Sequence, residues 1–223
     1  MGALFNLDNP VWSFMGKVAD LVILNVLAII CSIPIFTIGA SWTALYFVTI
    51  RIVRKEEGYV IRDFFRSFKE NFKQATLIWL LVLLVAAIFV GDILIYRMIQ
   101  DQIPKFIMIA VIVLAFLALG TAIYVFPVLS RFENTIKNTI KNAFLLSIVN
   151  IPYTILLMIL MVLPIFLALF VIQIAPIMII MGASLPAYFA SMIFVHIFRK
   201  LEPAEVSEEA DLDMIEEEAT EEA

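Results

Sequence analysis

Two Gly-x-Ser triplets, Gly39-Ala40-Ser41 and Gly182-Ala183-Ser184, together with the single histidine, His196, are the residues that first suggest a nucleophile and its base. Such a pair would support intramembrane serine hydrolysis, which needs the imidazole within roughly 3 Å of the hydroxyl. The spacing opposes it. His196 follows Ser184 by 12 residues in one apolar run, about 18 Å along a helix, and Ser41 is expected near the opposite membrane face. His196 better suits a hydrogen-bonded place near the end of a helix. The sequence has no Walker A lysine loop, no His-Glu-x-x-His and no Gly-rich dinucleotide fingerprint, so neither ATP hydrolysis nor those cofactors are expected. Cys31 is the only cysteine, which excludes an intramolecular disulfide and a Cys-rich metal site. Catalysis, a cofactor, a bound metal and a nucleic-acid partner are all unexpected.

Two further sets of polar residues lie in apolar surroundings. Asp92 is the one acid well inside an apolar segment, and an ionisable group there is a functional candidate by default. Arg97, five residues on, can neutralise it near the outer face. Asn25, Thr37, Ser41, Thr43, Tyr46, Thr121, Tyr124, Ser184 and Tyr188 could line a polar seam, either as a solute path or as ordinary interhelical hydrogen bonds. A sugar path wants acids, amides and aromatics together, and this seam is poor in acids.

The elements that carry these residues follow from composition. Apolar residues make up 63% of the 223 and charged residues 16%, against roughly 45 to 50% apolar in a soluble domain. Mean hydropathy is +1.03. One body of this size cannot hide so much apolar surface from water, so lipid must be its solvent. Beta-barrel strands would alternate apolar and polar residues, whereas the runs here are continuous, so the expected fold is all-α and polytopic. Charge-free stretches at 21–50, 74–91 and 106–130, and one at 142–198 broken only by His196, place the spans. Pro34 and Gly39 divide the first, and Gln173 to Pro176 divide the last. About six segments result, near 18–36, 40–53, 75–97, 106–130, 152–171 and 177–198, arranged as three helical hairpins. The first pair either spans or forms a re-entrant hairpin.

Residues 1–200 form this membrane domain and hold all 15 Lys and Arg against 9 acids, while 201–223 hold 11 acids and no base. That end has the composition of a solvating, disordered tail. With the six segments placed, 13 basic residues fall on one side and only Arg97 and Lys105 on the other. Both termini are therefore expected in the cytoplasm. No cleavable signal peptide is expected, because a basic start and a small-residue cleavage site are missing before Val18.

The three descending segments share a pattern of small residues before a tyrosine: Gly39 to Tyr46, Gly120 to Tyr124 and Gly182 to Tyr188. Small residues let helices approach closely, and they are also simply common in membrane helices. Between the second and third segments, Phe64, Phe68 and Phe72 recur every four residues, with Lys69 and Lys73 behind the last two. At about 100° per residue they share one face with Ile61 and Phe65, beside Arg62 and Arg66. Phe132, Ile136 and Ile140, with Lys137 and Lys141, repeat the design later. Two cytoplasmic amphipathic surface helices are expected, and duplication about an axis along the membrane normal accounts for them. They would either lie on anionic lipid or dock a partner.

These residues resemble the YesL family, also called the domain of unknown function 624. The likeness rests on Asn25, Cys31-Ser32-Ile33-Pro34, Thr37-Ile38-Gly39, Thr43-Ala44-Leu45-Tyr46, Glu57-Gly58, the run from Phe64 to Ala75, and Asn138 to Phe144. It covers about 20 to 145, and the acidic tail lies outside it. The resemblance implies a multi-pass protein of the bacterial cytoplasmic (inner) membrane, often encoded beside carbohydrate ABC importers and glycan-degrading enzymes, with no established activity. The expectation that follows is a non-enzymatic accessory or regulatory subunit meeting the permease and ATPase subunits of such an importer. An independent secondary transporter or channel is the alternative, and homo-oligomers remain open under both.

Overall fold

Backbone groups in lipid must find partners within their own segment, and every regular element of the computed structural model, which describes residues 10–56, 58–98, 104–170 and 180–201, is helical. The order is α1 (Pro10–Cys31), a 3-10 turn (Ile35–Thr37), α2 (Ile38–Val53), α3 (Val60–Met98), α4 (Lys105–Arg131), α5 (Ile136–Val149), α6 (Ile151–Phe170) and α7 (Ser184–Arg199). Ile35–Val53, Val60–Met98 and Phe106–Arg131 are each long and apolar enough to cross a membrane, and α5 with α6, bent by 102°, would make a fourth crossing. The chain is a helical membrane protein. The expected break at Gln173 to Pro176 and nearly all of the acidic tail lie outside the described residues.

The first surface helix and the span after it are one element. Charge is interrupted from Lys73 to Asp92, but the 39 residues of α3 contain no proline, and Gly91 is their only glycine. Nothing therefore interrupts the backbone where polarity changes. At 1.5 Å per residue α3 is about 58 Å long, roughly twice the hydrocarbon thickness. Its charged half lies antiparallel to α2, with Asp63 beside Arg51 and Ala75 beside Gly39. Its apolar half runs on with α4, and there the two crossing windows are each only 6% buried within the protein. The second expected surface helix is α5. It folds back along α4 rather than lying apart, and Ser147 reaches Gly120.

Helix α1 begins earlier than the charge pattern suggests and ends at Cys31, three residues before Pro34. The Thr37 hydroxyl is shared between the carbonyls of Cys31 and Pro34, each at 2.6 Å, and so satisfies groups that the break leaves over. Trp79 fastens the same turn to α3 by donating its indole N–H to the Ile35 carbonyl at 2.8 Å.

The core lies where α2, α7 and the second half of α4 run in the same direction. Ser41 and Ala183 line one small cavity near the starts of α2 and α7, and Thr49 and Ser191 meet two turns later, their hydroxyl oxygens 2.7 Å apart. The ends of α2 and α4 come together at Glu56, which takes Arg51 at 3.1 Å and Arg131 at 3.8 Å. At the centre the ring of Phe194 meets both Tyr46 and Tyr124 edge to face, at 5.7 and 5.2 Å between centroids. Phe194, not Tyr188, joins the two tyrosines of the small-residue pattern. Tyr188 is half-buried against Phe189.

Candidate functional site

The polar seam is knitted into the helix contacts. Asn25, fully buried on α1, accepts hydrogen bonds from the backbone N–H groups of Ala183 at 2.9 Å and Ser184 at 3.2 Å. Those are unsatisfied donors at the start of α7, so Asn25 caps a helix from another part of the chain. Ser41 donates to the Ala28 carbonyl at 2.9 Å and ties α2 to α1. Thr43 and Thr121 donate to carbonyls one turn back, Gly39 and Leu117. Thr154, which the sequence pattern did not single out, donates to the Ser147 carbonyl at 2.8 Å and lies 3.2 Å from the Tyr124 hydroxyl. Tyr46 is buried in the aromatic centre. The buried Ser184 hydroxyl has no hydrogen-bond partner among the described residues. Ser184 and His196 lie on one unbroken helix, and His196 sits on the surface beside Tyr153. Asp92 is exposed on the apolar half of α3, away from the seam.

A charged cluster closes one end of the bundle. Helix α2 ends in a Schellman motif, in which Glu56 N–H donates to the Arg51 carbonyl and Lys55 N–H to the Ile52 carbonyl. This requires a left-handed residue, and Lys55 supplies it at φ 57°. The turn brings Glu56 back onto the Arg51 side chain, which also reaches Asp63 at 2.8 Å. Gly58 makes room, since a Cβ there would meet the Asp63 carboxylate and stand 3.2 Å from the Arg51 guanidinium. Arg51, Glu56 and Arg131 also border a cavity of about 250 Å³ with Phe47, Arg66 and Ser130.

The residues expected to form a docking stripe are divided between inside and outside. Phe64 is fully buried, and Phe68 and Phe72 are partly buried against the core, so the stripe is not a free face. The buried positions of α3 are Asp63, Phe64, Ser67, Ala75 and Ile78, a face turned by roughly 90° from the phenylalanine stripe. Polar Asp63 and Ser67 can point inward because Arg51 and Asn71 satisfy them. Outside remain Ile61 and Phe65 with Arg62, Arg66, Lys69 and Lys73. Phe68, Lys69, Glu70, Phe72 and Lys73 form an open hollow of about 490 Å³.

On the second unit, Phe132, Ile136 and Ile140 also pack partly against the core, while Lys137 and Lys141 are exposed. Thr135 caps α5 by accepting from Asn138 N–H, and Thr139, Ala143 and Ser147 face inward. Gln74 joins the two units by donating to the Asn134 carbonyl at 2.6 Å. Among the described residues no three His, Cys, Asp or Glu gather as a metal site.

No curated protein and no solved structure matches the chain. Residues 21–93, from α1 into the apolar half of α3, match the model of DUF624, a protein family of unknown function, which is the family that the motifs of this stretch resemble.

Proposed function

We propose that this protein is a non-enzymatic accessory or regulatory subunit of the bacterial cytoplasmic membrane, associated with a carbohydrate ABC importer. The observation that carries a docking role is the outer face of the charged half of α3, where Ile61 and Phe65 are exposed among Arg62, Arg66, Lys69 and Lys73. Apolar anchors framed by bases suit a groove on an acidic partner better than they suit water. The importer itself comes from the family resemblance. The seam supports an accessory over a carrier, because the side-chain oxygens of Asn25, Ser41, Thr43 and Thr121 are engaged by backbone partners.

The topology that goes with this function has six segments in three hairpins, with the basic side and both termini in the cytoplasm. The first pair is re-entrant. Helix α2 lies beside the charged half of α3 along its length, and Ile33, Ile35 and Phe36 at its tip are exposed apolar residues suited to the interface.

Purification of the tagged protein in mild detergent at native expression, with mass spectrometry of stoichiometric companions, tests the proposal. Permease and ATPase subunits retained by the wild type and lost by Phe65→Ala with Lys69→Gln support it. Recovery of the chain alone or as a homo-oligomer counts against it.

A further inference from the structure

Helices α3, α4 and α5 border an apolar groove of about 680 Å³. Alanines at 86, 115, 118 and 122 keep its walls thin, and it runs from Ile78 to Phe89 along α3, about 16 Å at 1.5 Å per residue. Walls that are this apolar over such a length suit extended acyl chains.

One end of the groove is not apolar. Lys137 and Lys141, one turn apart on α5, line it beside Ile78. Both are exposed, and neither makes an ion pair among the described residues. Ile78 lies five residues beyond Lys73, the last charge on α3 before Asp92. The lysines therefore stand at the level where the polar part of the protein gives way to hydrocarbon, and the groove leads from there into the apolar half. Thr121, another polar residue of the lining, donates its hydroxyl to Leu117 of its own helix.

We propose that this groove is a binding site for one anionic phospholipid, its acyl chains along α3 and α4 and its phosphate between Lys137 and Lys141. A zwitterionic lipid would fill the same apolar walls, but its own cationic headgroup already offsets its phosphate, so two lysine ammonium groups favour a lipid of net negative charge. The inference stands apart from the importer association.

Native mass spectrometry of the purified full chain, incubated with equal amounts of phosphatidylglycerol and phosphatidylcholine, tests it. The wild type should retain one phosphatidylglycerol in preference to phosphatidylcholine by roughly tenfold or more. Lys137→Gln with Lys141→Gln should abolish the preference, and Ala118→Phe should reduce retention of both lipids. The lysine pair is exposed, so it remains informative if Ala118→Phe fails to fold. Equal retention of the two lipids by the wild type, a preference that survives the lysine substitutions, or a second copy of the chain in place of lipid would overturn the proposal.

Discussion

The side-chain oxygen of Asn25 lies 2.9 Å from the backbone nitrogen of Ala183, across a sequence separation of 158 residues. A residue of α1 thus supplies the cap that the start of α7 lacks in its own sequence, where Ala183 offers no side-chain bond. Asn25→Leu would bury two backbone donors without an acceptor, at about 1 to 3 kcal/mol. Ser184→Ala in the same place should be neutral or stabilising, because its buried hydroxyl has no partner among the described residues. Thermal unfolding in detergent should show a lower midpoint for the first variant and not for the second. Equal losses would mean that Asn25 only fills space.

The sequence makes the seam legible and the inward face of α3 illegible, for one physical reason. Asn25, Ser41 and Thr43 stand out as polar residues in apolar runs, and their partners are mostly backbone groups, which every sequence supplies. Asp63 is the opposite case. Its burial depends on Arg51, which a turn and Gly58 deliver, and hydrophobic periodicity credits it to the solvent side. The same periodicity separates surface helix from span at Lys73, but a change of polarity does not end a helix without a breaker. Phe194 could not be recognised as the meeting point of Tyr46 and Tyr124, because it lies six residues beyond Tyr188, outside the repeated small-residue pattern.

Gly39 tests the close approach of α2 and α3. A methyl group there would stand 2.6 Å from both the Ala75 carbonyl oxygen and Trp79 Cβ. The first neighbour is backbone and cannot rotate away, so the helices must separate. Gly39→Ala should cost about 1 to 3 kcal/mol through overpacking. Gly91→Ala meets nothing within 4 Å and should gain up to about 1 kcal/mol of helix propensity. Opposite shifts in unfolding midpoint are expected, and a tolerated Gly39→Ala would show that the helices are free to part.

Lys55 holds a left-handed conformation, with φ 57°, at the position of a Schellman motif where glycine carries no Cβ penalty. Lys55→Gly should therefore stabilise the fold by about 1 kcal/mol, the strain of an L residue there less the added freedom of the unfolded chain. Lys55→Val should destabilise it, because a β-branched side chain fits this region worst. If both variants unfold alike, the turn is not a constraint on α2.

Arg51 and Asp63 offer the last test, because their 2.8 Å contact is shielded, with side-chain exposures of 23% and 13%. An exposed pair is worth about 0 to 1 kcal/mol. Here removal of one member leaves the other partly buried, so Asp63→Asn and Arg51→Gln should each cost about 1 to 3 kcal/mol. The double variant should cost less than the two losses combined. Arg66 and Glu70, paired at 3.1 Å but exposed at 64% and 57%, provide the control, with a coupling of about 0.3 to 0.5 kcal/mol. That coupling should fade in high salt while the Arg51–Asp63 coupling largely persists, since burial limits screening. Two cycles of the same size and salt dependence would place Arg51 and Asp63 in free contact with water and remove the electrostatic reason for α3 to turn Asp63 inward.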